Sequence, residues 1–132
     1  MSEENLWGEI PLDEKIETPL SILKAQAVAL NKVTKGILDG RVVQTSSDDN
    51  LIYEFRIVAP TLGNYSATIL KISHDIALYP VFVIDDFSGG YTRAPNSEAL
   101  KEALKSIFQS EPVRRIVRGL AAQATETASP VS

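Results

Sequence analysis

The residues best suited to chemistry stand together in the stretch VIDDFSGGY, residues 83–91. An apolar run ends there in Asp85 and Asp86, and two glycines follow. Paired carboxylates beside a flexible turn could bind Ca²⁺ or Mg²⁺, and Tyr91 and Arg93 in the same loop could contact a ligand or a partner. The simpler interpretation, which we favour, is that the aspartates end a buried strand and the glycines let the chain reverse.

The spacing of these residues argues against a metal or phosphate site. Adjacent side chains on a strand point to opposite faces, so Asp85 and Asp86 can chelate one ion only if the strand ends between them. The EF-hand pattern Asp-x-Asp-x-Asp-Gly is missing. A phosphate loop would place its glycines before a helix with a Lys-Ser/Thr pair, and no such pair follows here. We therefore predict no metal and no cofactor.

The sequence also argues against catalysis by a histidine-based triad. The chain has a single histidine, His74, and no cysteine. If His74 faces Tyr79 across a hairpin, Asp85 lies about six residues, or about 20 Å, away along the strand. A triad needs its members within hydrogen-bond reach, so we predict that the protein is not an enzyme.

The composition is that of an ordinary soluble globular domain, with 44% hydrophobic and 23% charged residues. The lack of cysteine fits a reducing compartment. The start of the chain, Met-Ser-Glu-Glu, carries no apolar run typical of a secretory signal, and no stretch approaches the ~20 apolar residues that span a bilayer. We expect a cytoplasmic protein that does not enter a membrane.

The net charge of −4 is concentrated in an acidic N-terminal arm, residues 1–17. This arm holds six acidic residues and one base, so the rest of the chain is close to neutral. We expect the arm's lone Trp7 to anchor on the protein's own surface, and contact with a partner is the alternative. Residues 18–124 then form one α+β domain, and residues 125–132 form a flexible tail of small and polar residues.

The order of the predicted elements is one helix, four strands and two helices. Thr18 and Pro19 are typical of the start of a helix. Four segments rich in β-branched and aromatic residues, joined by short loops, predict an antiparallel four-stranded meander: 41–45, 51–59, 65–74 and 79–85. Two apolar stripes near the C-terminus predict two further helices, with a break at 110–112.

The predicted strand register makes both faces of the sheet partly apolar. We expect Glu54 to lie opposite both Arg41 and Lys71, which makes a charged row on one face. The same face also collects five apolar side chains: Ile52, Val58, Ile69, Phe82 and Ile84. Contiguous apolar surface of this kind is usually covered, here by the helices, by the arm or by a second copy of the chain. We assign these five residues to a homodimer interface.

The second C-terminal helix carries a basic cluster of Arg114, Arg115 and Arg118. This cluster could bind an acidic segment, including the arm, residues 1–17, of the same or another copy of the chain. Nucleic acid is a weaker alternative, because the chain lacks a strong basic surplus and an exposed aromatic set for stacking bases.

These observations favour a small non-catalytic protein–protein interaction protein that acts as a homodimer. The order of elements is typical of small bacterial adaptor, chaperone-like and immunity proteins, although no motif supports one of them. The first alternative is a ligand- or metal-binding domain, including an enzymatic one, that uses the loop 85–93. The second is a nucleic-acid-binding protein that uses the arginine cluster.

Overall fold

The computed structural model describes residues 4–12, 15–46 and 49–128. It is an α+β fold in which one helix precedes a five-stranded antiparallel sheet and two helices follow. The prediction of four strands was one short, since residues 91–94 form a further strand. In chain order the elements are α1 (Pro19–Val33), β1 (Asp39–Ser46), β2 (Leu51–Ala59), a single 3₁₀ turn (Pro60–Leu62), β3 (Tyr65–His74), β4 (Val81–Asp85), β5 (Tyr91–Ala94), α2 (Ser97–Phe108) and α3 (Glu111–Ala128).

The first helix begins where the sequence predicted. The Thr18 hydroxyl accepts a hydrogen bond from the Ser21 backbone N–H at 3.1 Å, and Pro19 occupies the first turn. The helix buries Ile22 and Leu23 and ends at Val33. Its position over β1 is close, because a Cβ added at Gly40 would lie 2.5 Å from the Ala27 Cα atom.

The five strands lie in the sheet in chain order, and each pairs antiparallel with the next. Glu54 lies opposite Lys71, as predicted. The first hairpin is shifted by two residues from the prediction, so that Arg41 lies opposite Arg56 and not opposite Glu54. The hairpin of β3 and β4 is also shifted by two, with Ser73 opposite Phe82. A shift of two keeps every side chain on its predicted face.

A β-bulge interrupts the pairing of β2 with β3, because Phe55 pairs with Leu70 while Arg56 pairs with Thr68. Ile69 is therefore the extra residue, and it is fully buried in the hydrophobic core. The expectation that Ile69 lies with the charged row was wrong, since strict alternation fails at a bulge.

The three helices form one layer on the face of the sheet that carries Tyr53, Phe55 and Ile57. Helix α1 packs against β1 and β2, α2 against β4 and β5, and α3 against β2 and the 3₁₀ turn. A single core cluster joins this face to Leu23 of α1 and to the buried side of the C-terminal helices, which is formed by Leu100, Leu104, Ile107, Val113 and Leu120. We call this the covered face.

The C-terminal helices meet at the predicted break. The Asn96 side chain caps α2 by accepting a hydrogen bond from the Ala99 N–H at 2.8 Å. Helix α3 begins at Glu111 and continues to Ala128, so residues 125–128, which we had assigned to the tail, are helical. Residues 129–132 lie outside the described part of the chain. No helix within the described ranges is long and apolar enough to cross a membrane.

Candidate functional site

The carboxylate of Asp85 closes the turn between β4 and β5. It accepts hydrogen bonds from the Phe87 N–H at 2.9 Å and from the Ser88 hydroxyl at 3.0 Å. The Gly89 N–H donates to the Asp85 carbonyl at 2.8 Å, and Gly89 has a φ of +72°, which favours glycine. Both oxygens of Asp85 thus serve the local turn.

No cluster of three or more metal-ligating carboxylate or imidazole side chains occurs among the residues that the structure describes. Asp86 is exposed, and its backbone N–H donates to the Ile69 carbonyl at 3.1 Å. His74 is buried, with Nδ1 2.7 Å from the Asp75 carbonyl oxygen. Asp85 pairs with Leu70, four residues along β3 from His74, which corresponds to about 13 Å. The predicted 20 Å was too long, yet the two groups remain beyond hydrogen-bond reach.

Tyr91 and Arg93 lie on β5 and not in the loop that the sequence indicated. Arg93 is paired with Phe82 and Tyr91 with Ile84. The Tyr91 ring stacks on the Phe82 ring, with centroids 5.5 Å apart. Tyr91 and Arg93, which were predicted to contact a ligand, therefore belong to the sheet face that faces away from the helices. They follow the turn, whereas Asp86 lies at its start.

That second face, which we call the open face, carries the alternate residues of the same strands. The core cluster that the three helices share with the sheet lies on the covered face. Two adjacent cross-strand rows follow from the register. One row contains Thr45, Ile52, Ser73, Phe82 and Arg93, and the next contains Val43, Glu54, Lys71, Ile84 and Tyr91. The face is thus polar near β3 and mainly apolar on β4 and at Tyr91, where Ile84 is 36% exposed.

An ion-pair network lies in the middle of the open face. The Glu54 carboxylate is 2.6 Å from Arg56 Nη2 and 3.7 Å from Lys71 Nζ, and the Glu54 side chain is only 17% exposed. Arg56 Nε is buried and has no hydrogen-bond acceptor among the described residues. The partial burial strengthens this network relative to a fully exposed pair.

The five residues that we assigned to an interface divide into two groups. Ile52, Phe82 and Ile84 retain exposed surface on the open face. Val58 and Ile69 are buried inside the single chain, with 1% and 0% exposure. The apolar surface that a partner could contact is therefore smaller than the sequence indicated, although the exposed Tyr91 ring enlarges it.

The three arginines of α3 do not converge on one site. Arg114 lines a groove between α1 and α3, and Arg115 lines a different depression beside Tyr65 and Phe87. Arg118 pairs with Glu111 at 3.3 Å on the surface. A nucleic-acid site built on all three would need them to face one surface, because phosphates are bound by adjacent cations.

The N-terminal arm is the most exposed apolar segment that the structure describes. Trp7 is 82% exposed, so the expectation that it anchors on the protein's own surface was wrong. The neighbouring apolar side chains are exposed as well: Leu6, Ile10, Leu12 and Ile16. Within the arm, Glu3, Asp13 and Glu14 lie outside the described residues.

Among the described residues of the arm, only those at its C-terminal end are fixed to the domain. The Glu17 carboxylate is 2.6 Å from Lys101 Nζ, and the Tyr79 hydroxyl donates to the Glu17 carbonyl at 2.8 Å. The hydrogen bond with Glu17 raises the pKa of Lys101 above its ordinary value. Partial burial, followed by the Glu17 charge, raises the pKa of Tyr79. This contact could not be predicted from adjacent residues, since Glu17 and Lys101 are far apart in the chain.

The groove between α1 and α3 is the second apolar surface that sequence reasoning missed. Its floor is Phe55 and Ile57, its walls include Val33 and Val117, and its volume is about 290 Å³. Each of the two helices contacts α2, and side chains of both helices line the groove.

Comparisons of the chain with models of protein families, with characterised proteins and with solved structures find no significant match. Function therefore has to be argued from the exposed surfaces of the molecule itself.

Proposed function

We propose that this chain is a non-catalytic protein–protein interaction protein that associates with a second copy of itself through the open face of its sheet. The observation that carries the proposal is the one-sided helix layer. All three helices pack on the covered face, while Ile52, Phe82, Ile84 and Tyr91 remain accessible on the other.

The shape and composition of the open face support self-association. A sheet face that meets water usually alternates cleanly between apolar residues inside and polar residues outside. Here β4 presents two large apolar side chains outward, and the Phe82–Tyr91 stack extends them onto the edge strand. A homodimer formed about a two-fold axis makes every contact twice, so one accessible face per chain is sufficient.

The ligand-binding and nucleic-acid alternatives draw less support. Asp85 already uses both of its oxygens in the turn, and Tyr91 and Arg93 face away from that turn on the open face. The arginines of α3 line separate depressions. Neither arrangement brings polar groups together around one ligand.

The test is the molecular mass in solution, measured by sedimentation equilibrium over a range of concentrations. We expect a species of twice the 14.4 kDa of one chain. Tyr91→Glu places a charge on the open face at a side chain that is exposed in the single chain, so it should yield the monomer without unfolding it.

The matched control is Val28→Glu, at an exposed apolar side chain on the helix side of the molecule. We expect it to keep the dimer mass. A wild-type protein that remains a single chain at every concentration would overturn the proposal. The proposal would also be overturned if Val28→Glu dissociated the dimer while the Tyr91→Glu protein remained a dimer.

A further inference from the structure

The open face and the N-terminal arm are two unpartnered surfaces of opposite charge. The register assigns four bases to the open face, Arg41, Arg56, Lys71 and Arg93, and two acids, Asp39 and Glu54. Asp39 and Arg41 lie at the β1 edge beside α1, where the Asp39 carboxylate accepts a hydrogen bond from the Asn31 side chain at 2.6 Å. Arg56 and Lys71 pair with Glu54. Arg41 and Arg93 form no ion pair with any residue in the described ranges, so the face carries uncompensated positive charge.

The arm has the complementary chemistry. It combines six acidic residues and one base with apolar side chains that the domain does not bury. A surface of exposed apolar groups interspersed with arginines is best covered by a segment that offers apolar side chains and carboxylates together.

We propose that the arm of one copy lies across the open face of a second copy, so that each chain covers the sheet of the other. This inference rests on the proposed self-association and names the segment that makes the contact. Trp7 and its apolar neighbours pack on the apolar patch formed by Phe82, Ile84 and Tyr91. The glutamates beside Trp7 approach Arg93 and Arg41.

The length of the arm fits the width of the sheet. In an extended conformation, the ten residue steps from Leu6 to Ile16 cover about 33 Å, while five strands at about 4.8 Å spacing place the outermost two about 19 Å apart. The arm can therefore cross every strand of the sheet and still retain several residues to connect to its own domain.

The point at which the arm leaves its domain also fits an exchange. Glu17 is held by Tyr79 and Lys101, and Tyr79 immediately precedes the start of β4. Phe82, the second residue of β4, lies on the open face at this end of the sheet. Two copies that meet at this end can each direct an arm onto the other's apolar patch.

The arm's own domain offers a poorer site. With one copy present, the side chains of residues 4–12 are all exposed, so this part of the arm does not pack on the domain to which it is joined. The groove between α1 and α3 has a volume of only about 290 Å³. It is too small for five large side chains spread over about 33 Å of extended chain.

Trp7 is the single tryptophan of the chain and so reports directly on the arm. We expect its fluorescence emission to shift to shorter wavelength, and its quenching by acrylamide to fall, over the same concentration range in which the mass doubles. Tyr91→Glu should leave Trp7 in water at all concentrations. Val33→Glu, at an exposed wall of the α1–α3 groove, is the matched control and should change nothing.

A second variant separates this inference from the proposed function. Replacing three exposed arm residues with serine, Leu6→Ser, Ile10→Ser and Leu12→Ser, keeps the Trp7 probe and does not touch the domain. We expect the dimer to weaken at least tenfold. We also expect the wild-type dimer to weaken as salt is added, because complementary charges are screened.

Each contrary result has a distinct meaning. A triple-serine variant that dimerises normally, while Tyr91→Glu does not, overturns the arm contact and leaves the proposed dimer standing. A wild-type monomer overturns both. Protection of Trp7 in a species with the mass of one chain, or its loss in Val33→Glu, places the arm on its own domain or in the groove and overturns the exchange.

Discussion

The covered and open faces of the sheet are formed by the same strands, yet they have different environments. On the covered face Phe55, Leu70 and Ile72 are almost completely buried beneath the helices. On the open face their neighbours in sequence, Glu54 and Lys71, form a partly exposed ion-pair network. Because side chains alternate along a strand, each strand contributes to both environments.

The difference shows how much of this surface one chain can cover. Three short helices suffice for one face of a five-stranded sheet, and the chain has no further described helix for the other. The apolar residues left on the open face are concentrated on β4 and β5, where we propose that a second molecule covers them. The comparison therefore separates residues that stabilise the fold from residues that are available for contact.

The largest expected effect compares one isoleucine on each face. Ile72→Ala on β3 removes a fully buried side chain and leaves a cavity, and it should lower the free energy of unfolding by about 3 kcal/mol. Ile84→Ala on β4 removes a side chain that is partly in water, and it should cost less than about 1 kcal/mol. Urea denaturation of the monomer at low protein concentration measures both. Equal losses would contradict the distinction between the faces.

The next prediction concerns how tightly the helix layer packs on the covered face. Gly40→Ala would place a Cβ atom 2.5 Å from the Ala27 Cα and 2.7 Å from the Ala27 Cβ, and the backbone atom cannot rotate away. We expect a loss of about 1–3 kcal/mol, because α1 must move off β1. Thermal unfolding followed by circular dichroism measures this loss.

Gly119→Ala is the control for that substitution. A Cβ at Gly119 meets nothing within 4 Å, and the residue lies inside α3. Alanine is the better helix former there, so we expect a gain of about 0.5–1 kcal/mol. If both alanine substitutions change the stability in the same direction, then the close contact between α1 and β1 is not the reason that position 40 requires glycine.

A smaller effect is expected at the centre of the open face. Glu54→Gln removes the charge shared by Arg56 and Lys71 in a partly buried site, and it should cost about 1–2 kcal/mol. The control is Glu111→Gln, because Glu111 pairs with Arg118 on the exposed surface. This substitution should lower the free energy of unfolding by less than about 0.5 kcal/mol. Chemical denaturation of the two variants at low salt tests the order. If Glu111→Gln loses as much stability as Glu54→Gln or more, then the open-face network is no stronger than an exposed ion pair.

Much of the fold could be predicted from the sequence because the signals were local. The cap at Thr18 and the break at 110–112 each depend on a few adjacent residues, and both were confirmed. The pairing of Glu54 with Lys71 was confirmed because the loop between their strands is short. The faces were assigned correctly for the same reason, except at the bulge.

The features that could not be predicted depend on residues that are far apart in the chain or on weak local signals. The fifth strand, Tyr91–Ala94, has only four residues, three of them exposed, and lacks the apolar content that marks a strand. Strand β4 begins two residues later than predicted, after Pro80, since proline cannot donate a hydrogen bond to the sheet. Neither the bulge at Ile69 nor the contact of Glu17 with Lys101 has a signal in adjacent residues.

The smallest expected effect is on the fixed end of the arm and depends on pH. Both Lys101 and Tyr79 have a pKa raised in the folded protein, so their protonated forms stabilise it. That contribution is complete below the unfolded pKa values and is lost as the pH rises through the folded ones, which places the window above about pH 10. Lys101→Met should therefore reduce the fall in melting temperature between about pH 9 and pH 11, whereas Lys105→Met, one turn further along α2, should leave it unchanged. An identical fall in both variants would mean that Glu17 does not hold the arm to α2. The hydrogen bond from the Tyr79 hydroxyl to the Glu17 carbonyl would then be the contact that holds this end of the arm, and the exchange that we propose would begin from it.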